Sequence, residues 1–225
     1  MISAKNVIWI LIIIGAIVSF LGMMSFSFLS IKKSKEEFSF TRQFPYEFVK
    51  NKIASIFLYL MVAFAFGPLL LIIPLFGEFG DLAIISLVIT CVFGLAMMVL
   101  VAAIKIPASY THEHVIVSTI LMAAAFLCSG LTATRLFLSY SVELRFGGGG
   151  FHLAFAIIAA LIAIAMLVVI FNPKLKDWAL LEEQMNGEDK TFYRPKFFVL
   201  AYSEWASVLA LFLSQILFLL SLVSI

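Results

Sequence analysis

Apolar residues along this chain fall into six long, uninterrupted runs, not into short alternating stretches. The runs cover approximately residues 7–29, 53–76, 82–104, 115–134, 151–171 and 197–225. A helix needs about 20 apolar residues to cross a bilayer, whereas a strand of a membrane barrel alternates apolar and polar positions. The pattern therefore predicts an all-α, polytopic membrane protein, with six transmembrane helices in one bundle formed by residues 1–225.

Composition supports this prediction and narrows the function classes. The chain is 64% apolar and 12% charged, whereas a soluble domain averages about 45–50% and about 25%. A formal net charge of +2 is too small to indicate a nucleic-acid partner. The bilayer is the expected surrounding, and no cofactor is predicted.

The basic residues predict an orientation in the cell membrane. Twelve of the fifteen Lys and Arg residues fall in the three loops at 30–52, 105–114 and 172–196. Because Lys and Arg concentrate in cytoplasmic loops, these loops are predicted to be cytoplasmic and both termini outside. The first apolar run follows Lys5 and has no small-residue cleavage site after it, so we interpret it as a retained span.

Three segments have features beyond simple apolarity. The second span carries Gly67-Pro68 and Pro74, which predict a break in the helix. The fifth span is rich in alanine and is expected at the bundle centre or at a partner interface, because small residues let helices approach closely. Residues 173–185 are predicted to form a surface helix that begins after Asn172 at Pro173.

Glu204 is the single acidic residue inside an apolar run. It follows the basic loop closely, so we expect its side chain among the lipid headgroups, paired with Lys105 or Lys52. The alternative is an ion-coupling group in a water-filled cavity, because ionisable groups inside spans usually serve function.

Two further candidates for ligand or coupling roles are Arg135 and Gln215. Arg135 is expected to close the fourth span on the outer side and to reach the headgroups, with Glu143, Glu78 or Asp81 as partner. A gating or anion-binding role is its alternative. Gln215 lies next to Ser214 in the middle of the sixth span, where hydrogen bonding between helices is favoured over a solute site.

No metal site is predicted. His112 and His114 flank Glu113 in a short loop and are weak candidates, because zinc needs three or four ligands and His152 is predicted on the opposite side. Cys91 and Cys128 both lie inside apolar runs and are interpreted as packing residues, although both lie at the same predicted depth.

Two cytoplasmic segments combine aromatic, proline and basic residues just before a span begins. They contain the partner-docking candidates Phe44, Tyr46, Tyr193 and Arg194. An interfacial anchor is the simpler interpretation, and docking of a membrane or cytoplasmic partner is the alternative.

The sequence contains no convergent set of acid, base and nucleophile, so an enzyme is not expected. The favoured prediction is a non-enzymatic membrane subunit or scaffold acting through helix packing and its cytoplasmic loops. Its candidate partners are other membrane subunits or further copies of the chain. The alternative is a small permease, channel or lipid-binding membrane protein.

Overall fold

The computed structural model describes residues 14, 21, 39, 41, 111–147, 150–177, 182–186, 189–193 and 196–220. Within this part the element order is α1 (Thr111–Arg145), α2 (Phe151–Ile170), a 3-10 turn (Pro173–Asp177), β1 (Glu182–Asn186), β2 (Asp189–Tyr193) and α3 (Val199–Leu220). The first three predicted spans lie outside the described residues, apart from Ile14 and Leu21, which are helical and exposed.

Three of these helices contain segments long and apolar enough to cross a membrane: Ser118–Arg145, Phe151–Ile170 and Val199–Phe218. They correspond to the fourth, fifth and sixth predicted spans. This confirms the helical, membrane-length part of the fold prediction for the described region. The count of six stays a prediction.

Helix α1 is longer than its apolar run indicates. The predicted span ends at residue 134, but the helix continues through Arg135 to Arg145. Its 35 residues are about 52 Å long, against about 30 Å for the hydrocarbon core. Gly147 follows the helix with a φ of 75°, a left-handed conformation that glycine adopts at low cost and that commonly ends helices.

Helix α2 packs antiparallel to α1 through its small residues. Ala156 and Ala159 are fully buried, and they form one apolar cluster with Ala133 and Leu136 of α1 and Leu217 of α3. The opposite face is broadly exposed, with Leu161 and Val168 59% and 69% exposed.

The alanine-rich helix is therefore peripheral within the described bundle, not central as one of the two expectations held. About a fifth of α2 is buried, whereas about two-thirds of the candidate span in α3 is buried. The alanines do lie at a helix contact, because a methyl side chain allows close approach of two backbones.

The predicted surface helix at 173–185 is wrong for residues 182–185, which form part of a strand, while residues 178–181 lie outside the described residues. Asn172 caps the first turn as expected, since its Oδ1 accepts from Lys174 N at 3.0 Å. The chain then forms the antiparallel hairpin β1–β2, with Asn186 opposite Asp189. Two residues, Gly187 and Glu188, separate these partners in the sequence, and a glycine at the first of two loop positions is a known hairpin signal.

Candidate functional site: a buried carboxylate between two parallel helices

Two polar contacts show that α1 and α3 run parallel. Ser118 of α1 contacts Glu204 of α3, and Ser129 of α1 contacts Ser214 of α3. The second pair lies eleven residues further along α1 and ten residues further along α3. We call these four residues the polar seam. The parallel arrangement places the N-terminal ends of α1 and α3 at one end of the bundle and the connection between α1 and α2 at the other.

Glu204 is fully buried, and its Oε1 accepts a hydrogen bond from the hydroxyl of Ser118. This burial does not fit the expected exposure of the side chain to lipid headgroups, and the expected partners Lys105 and Lys52 lie outside the described residues. The carboxyl group lies five residues inside α3, about 8 Å along the axis from the first helical residue. The contact with Ser118 shows that this face of α3 is turned toward α1. The local sequence does not determine which face of a helix packs inward, so only the tertiary structure shows it.

The surroundings of Glu204 on α3 are small and polar. Ser203 and Ser207 are also buried, at 1% and 0% exposure. Their hydroxyls donate to the carbonyls of Val199 and Ser203, each four residues earlier in the same helix. These hydroxyls are satisfied within α3, which lets a polar surface lie in a buried contact without loss of hydrogen bonding.

Deeper in the seam, the hydroxyls of Ser129 and Ser214 are 2.7 Å apart and both side chains are fully buried. Each hydroxyl also lies 2.7 Å from the carbonyl four residues earlier in its own helix, Ala125 and Ala210 respectively. Two hydroxyl hydrogens cannot serve three such bonds at once. One serine therefore bonds across the seam while the other bonds its own backbone.

At the opposite end of the bundle, Glu143 of α1 receives the first turn of α2. Its Oε1 accepts from Gly150 N and Phe151 N at 3.1 and 3.2 Å. Its Oε2 accepts from His152 N at 3.3 Å and lies 3.1 Å from His152 Nδ1. A carboxylate is favoured here, because the first N–H groups of a helix lack intrahelical partners and carry partial positive charge.

Arg135 does not lie where the sequence placed it. It is inside α1 instead of at its end, and Glu143, one of its expected partners, is engaged at α2. The buried Nε of Arg135 and the buried Oγ1 of Thr132 make no hydrogen bond. Thr132 was not a sequence candidate, and only its position one turn from Arg135 on a helix could have signalled it.

The remaining candidates are only partly described. Gln215 lies in α3 and His112 and His114 lie in the first turn of α1, but the structure does not describe their side chains. Tyr193 ends β2, while Phe44, Tyr46, Arg194 and Cys91 lie outside the described residues. Cys128 is fully buried on α1, as a packing residue would be. Among the described residues, no group of three or more His, Cys, Asp or Glu side chains is arranged to hold a metal ion.

Thr41, which precedes the docking candidates Phe44 and Tyr46 in the sequence, contacts the residues just before α3. Thr41 accepts from Phe198 N at 2.6 Å through its carbonyl and donates to the carbonyl of Lys196 at 3.1 Å. Ser39 supports Thr41 with a hydroxyl contact of 2.9 Å. The contact of Thr41 with Lys196 joins residues 155 positions apart, so no local sequence signal could have paired them.

Comparisons with known proteins add no assignment. No family model, curated protein or solved structure matches this chain. Chemically, a carboxyl group with a hydroxyl donor in a buried seam can gain and lose a proton or contribute an oxygen ligand to a small cation.

Proposed function

We propose that this chain is a small multi-pass membrane permease in which Glu204 is the ion-coupling group. The observation that carries the proposal is the complete burial of Glu204, with Ser118 of α1 donating to its carboxyl group. A headgroup-facing carboxylate would have removed the best residue for this function. The inward-facing position favours the permease over the subunit interpretation.

The energetics support a functional role for the acid. An acidic residue at the centre of a span costs about 2.5–3.5 kcal/mol on insertion scales, and the cost is smaller for Glu204, which lies about 8 Å from the first residue of α3. One hydrogen bond to a charged group contributes about 1.5–3 kcal/mol, so Ser118 offsets part of this cost. A glutamine at the same position would accept the same bond without a charge.

Proton flux tests the proposal directly. The purified chain is reconstituted in vesicles that contain a pH indicator, and a potassium diffusion potential is imposed with valinomycin. We expect faster proton movement than in empty vesicles and a return to the empty-vesicle rate with Glu204→Gln. Glu182→Gln, an acidic residue of the hairpin, serves as the matched control and should leave the flux unchanged. Equal flux in the wild type and Glu204→Gln contradicts the proposal.

A hydrophobic carbodiimide tests whether Glu204 exchanges protons while it is buried. Such reagents react with protonated carboxyl groups that they reach from the apolar phase. We expect modification of Glu204, detected by mass spectrometry, to slow as the pH is raised. A Glu204 that stays unmodified at every pH while the protein remains folded would favour a closed packing role.

The proposed topology has six spans, both termini outside and the basic loops in the cytoplasm. Single cysteines at Ser34 and Gly148, in a background without Cys91 and Cys128, distinguish the sides. In intact cells, an impermeant thiol reagent should label Gly148→Cys and miss Ser34→Cys. The opposite labelling pattern would invert the topology.

The second candidate function is a non-enzymatic membrane subunit or scaffold. It is favoured by the broad exposed apolar face of α2, on the helix whose other face packs through alanines. Purification in mild detergent separates the two functions. A stoichiometric partner protein would support the subunit, whereas a monomer or symmetric homo-oligomer would support the permease.

A further inference from the structure

The Nε–H group of Arg135 is buried inside the bundle without a hydrogen-bond acceptor. The side chain is half-buried, and its Nε is shielded from solvent without an acceptor. Thr132, three residues earlier, is fully buried, and its Oγ1 also makes no hydrogen bond. Residues three apart on a helix lie on the same face, so the two groups are neighbours.

The acidic residue nearest to Arg135 along α1 is committed elsewhere. Both carboxylate oxygens of Glu143 accept backbone N–H groups at the start of α2, and one of them also contacts His152. The carboxylate of Glu143 therefore stabilises the N-terminus of α2 and does not neutralise the guanidinium of Arg135. Among the described residues no ion pair of Arg135 takes its place.

The position of Arg135 along α1 places it inside the expected apolar layer of the membrane. The 20 residues of α2 are about 30 Å long, which matches the hydrocarbon core, so the start of α2 marks one edge of the apolar layer. Arg135 lies eight residues before Glu143, about 12 Å inside that edge along α1. A cation at such a depth needs an anionic partner or water to offset its desolvation.

We propose that Arg135 and Thr132 form a binding site for a phosphate group, carried by a lipid headgroup or by a free phosphate. A guanidinium presents two parallel N–H donors to an oxyanion, and the threonine hydroxyl supplies a third. Phosphate has enough oxygens to accept all three at once. Ser118 is seventeen residues away, about 25 Å along α1, so the site is separate from Glu204 and does not rest on the permease function.

Thermal unfolding of the full-length protein in mild detergent tests the site. One arm adds sodium phosphate at constant ionic strength, and the other adds phosphatidylglycerol or, for comparison, a galactolipid that carries no phosphate. We expect phosphate, or phosphatidylglycerol but not the galactolipid, to raise the Tm of the wild type. Arg135→Gln should weaken the apparent affinity about tenfold or more, because it removes charge-assisted hydrogen bonds.

Matched controls come from the same helix. Arg145→Gln and Thr134→Val change exposed residues of the same types and should leave the response unchanged. Thr132→Val should weaken the rise in Tm. Arg135→Lys keeps the positive charge and tests whether the two parallel N–H donors of the guanidinium are needed. A response to free phosphate identifies a soluble anion, and a response to phosphatidylglycerol alone identifies a lipid. The proposal is overturned if neither arm raises the Tm of the wild type. It is also overturned if Arg135→Gln and Thr132→Val respond as strongly as the wild type does.

Discussion

The contacts of α1 with α2 and with α3 share one helix but differ in chemistry. The α1–α2 contact is made by alanine and leucine side chains, with one carboxylate closing its end. The α1–α3 contact contains hydroxyl groups and a buried acid. In lipid, helices associate through close packing and interhelical hydrogen bonds, since burial of apolar surface offers little advantage there. This chain uses packing for one neighbour and polar groups for the other.

The difference has a consequence for function. An apolar contact of methyl groups is stable but chemically inert. A seam with hydroxyls and a carboxyl group contributes less packing, yet it can bind a proton or an ion. We therefore expect stability to be most sensitive at the α1–α2 contact and activity to be most sensitive at the polar seam. The variants below test the stability side of this comparison.

The largest stability effect is expected for Ala159→Leu. Ala159 is fully buried in the α1–α2 contact, so three additional carbon atoms must separate the helices. Overpacking of this kind costs about 1–3 kcal/mol. Equilibrium unfolding in mixed detergent micelles measures the free energy, and Ala165→Leu, on the exposed side of α2, is the control. Equal stabilities for the two variants would mean that the alanine face does not pack against α1.

An intermediate effect is expected for Glu143→Gln. The amide keeps one acceptor oxygen but loses the second oxygen and the negative charge at the start of α2. This should destabilise the protein, because a carboxylate at a helix N-terminus interacts favourably with the unpaired N–H groups there. The same unfolding measurement applies, with Arg145→Gln as an exposed charge change in the same region of α1. If Glu143→Gln is as stable as the wild type, the carboxylate does not hold the first turn of α2.

The smallest effect is expected in the polar seam, for the Ser129 and Ser214 pair. Each serine retains a carbonyl acceptor in its own helix when the other is replaced by alanine. A double-mutant cycle should therefore give a coupling of only about 0.6 kcal/mol, the typical value between membrane helices. Ser141→Ala, an exposed serine of α1, is the control. A coupling energy larger than the destabilisation caused by Ala159→Leu would reverse the comparison.

The agreement between the predicted and the observed structure differs from one local segment to another. Phe151–Ile170 is one uninterrupted apolar run, and its predicted and observed ends agree within one residue. In α1 the prediction stopped before Arg135, because a charge ends an apolar run but does not interrupt backbone hydrogen bonding. The hairpin escapes local prediction for a third reason: helix-start signals at Asn172 and Pro173 are followed by residues 182–185, whose side chains have low strand propensity, so the pattern favours a helix up to Met185.

Sequence alone determined that this chain contains membrane-length helices and which residues are unusual within them, because both follow from local apolarity. It singled out Glu204 and Arg135 as charges in or at the end of apolar runs. Only the tertiary structure decided that Glu204 faces inward to Ser118, 86 residues away, and that Glu143 serves α2 instead of Arg135. The rotation of a helix about its axis and the choice of its neighbours depend on contacts with distant segments, which the local pattern does not encode.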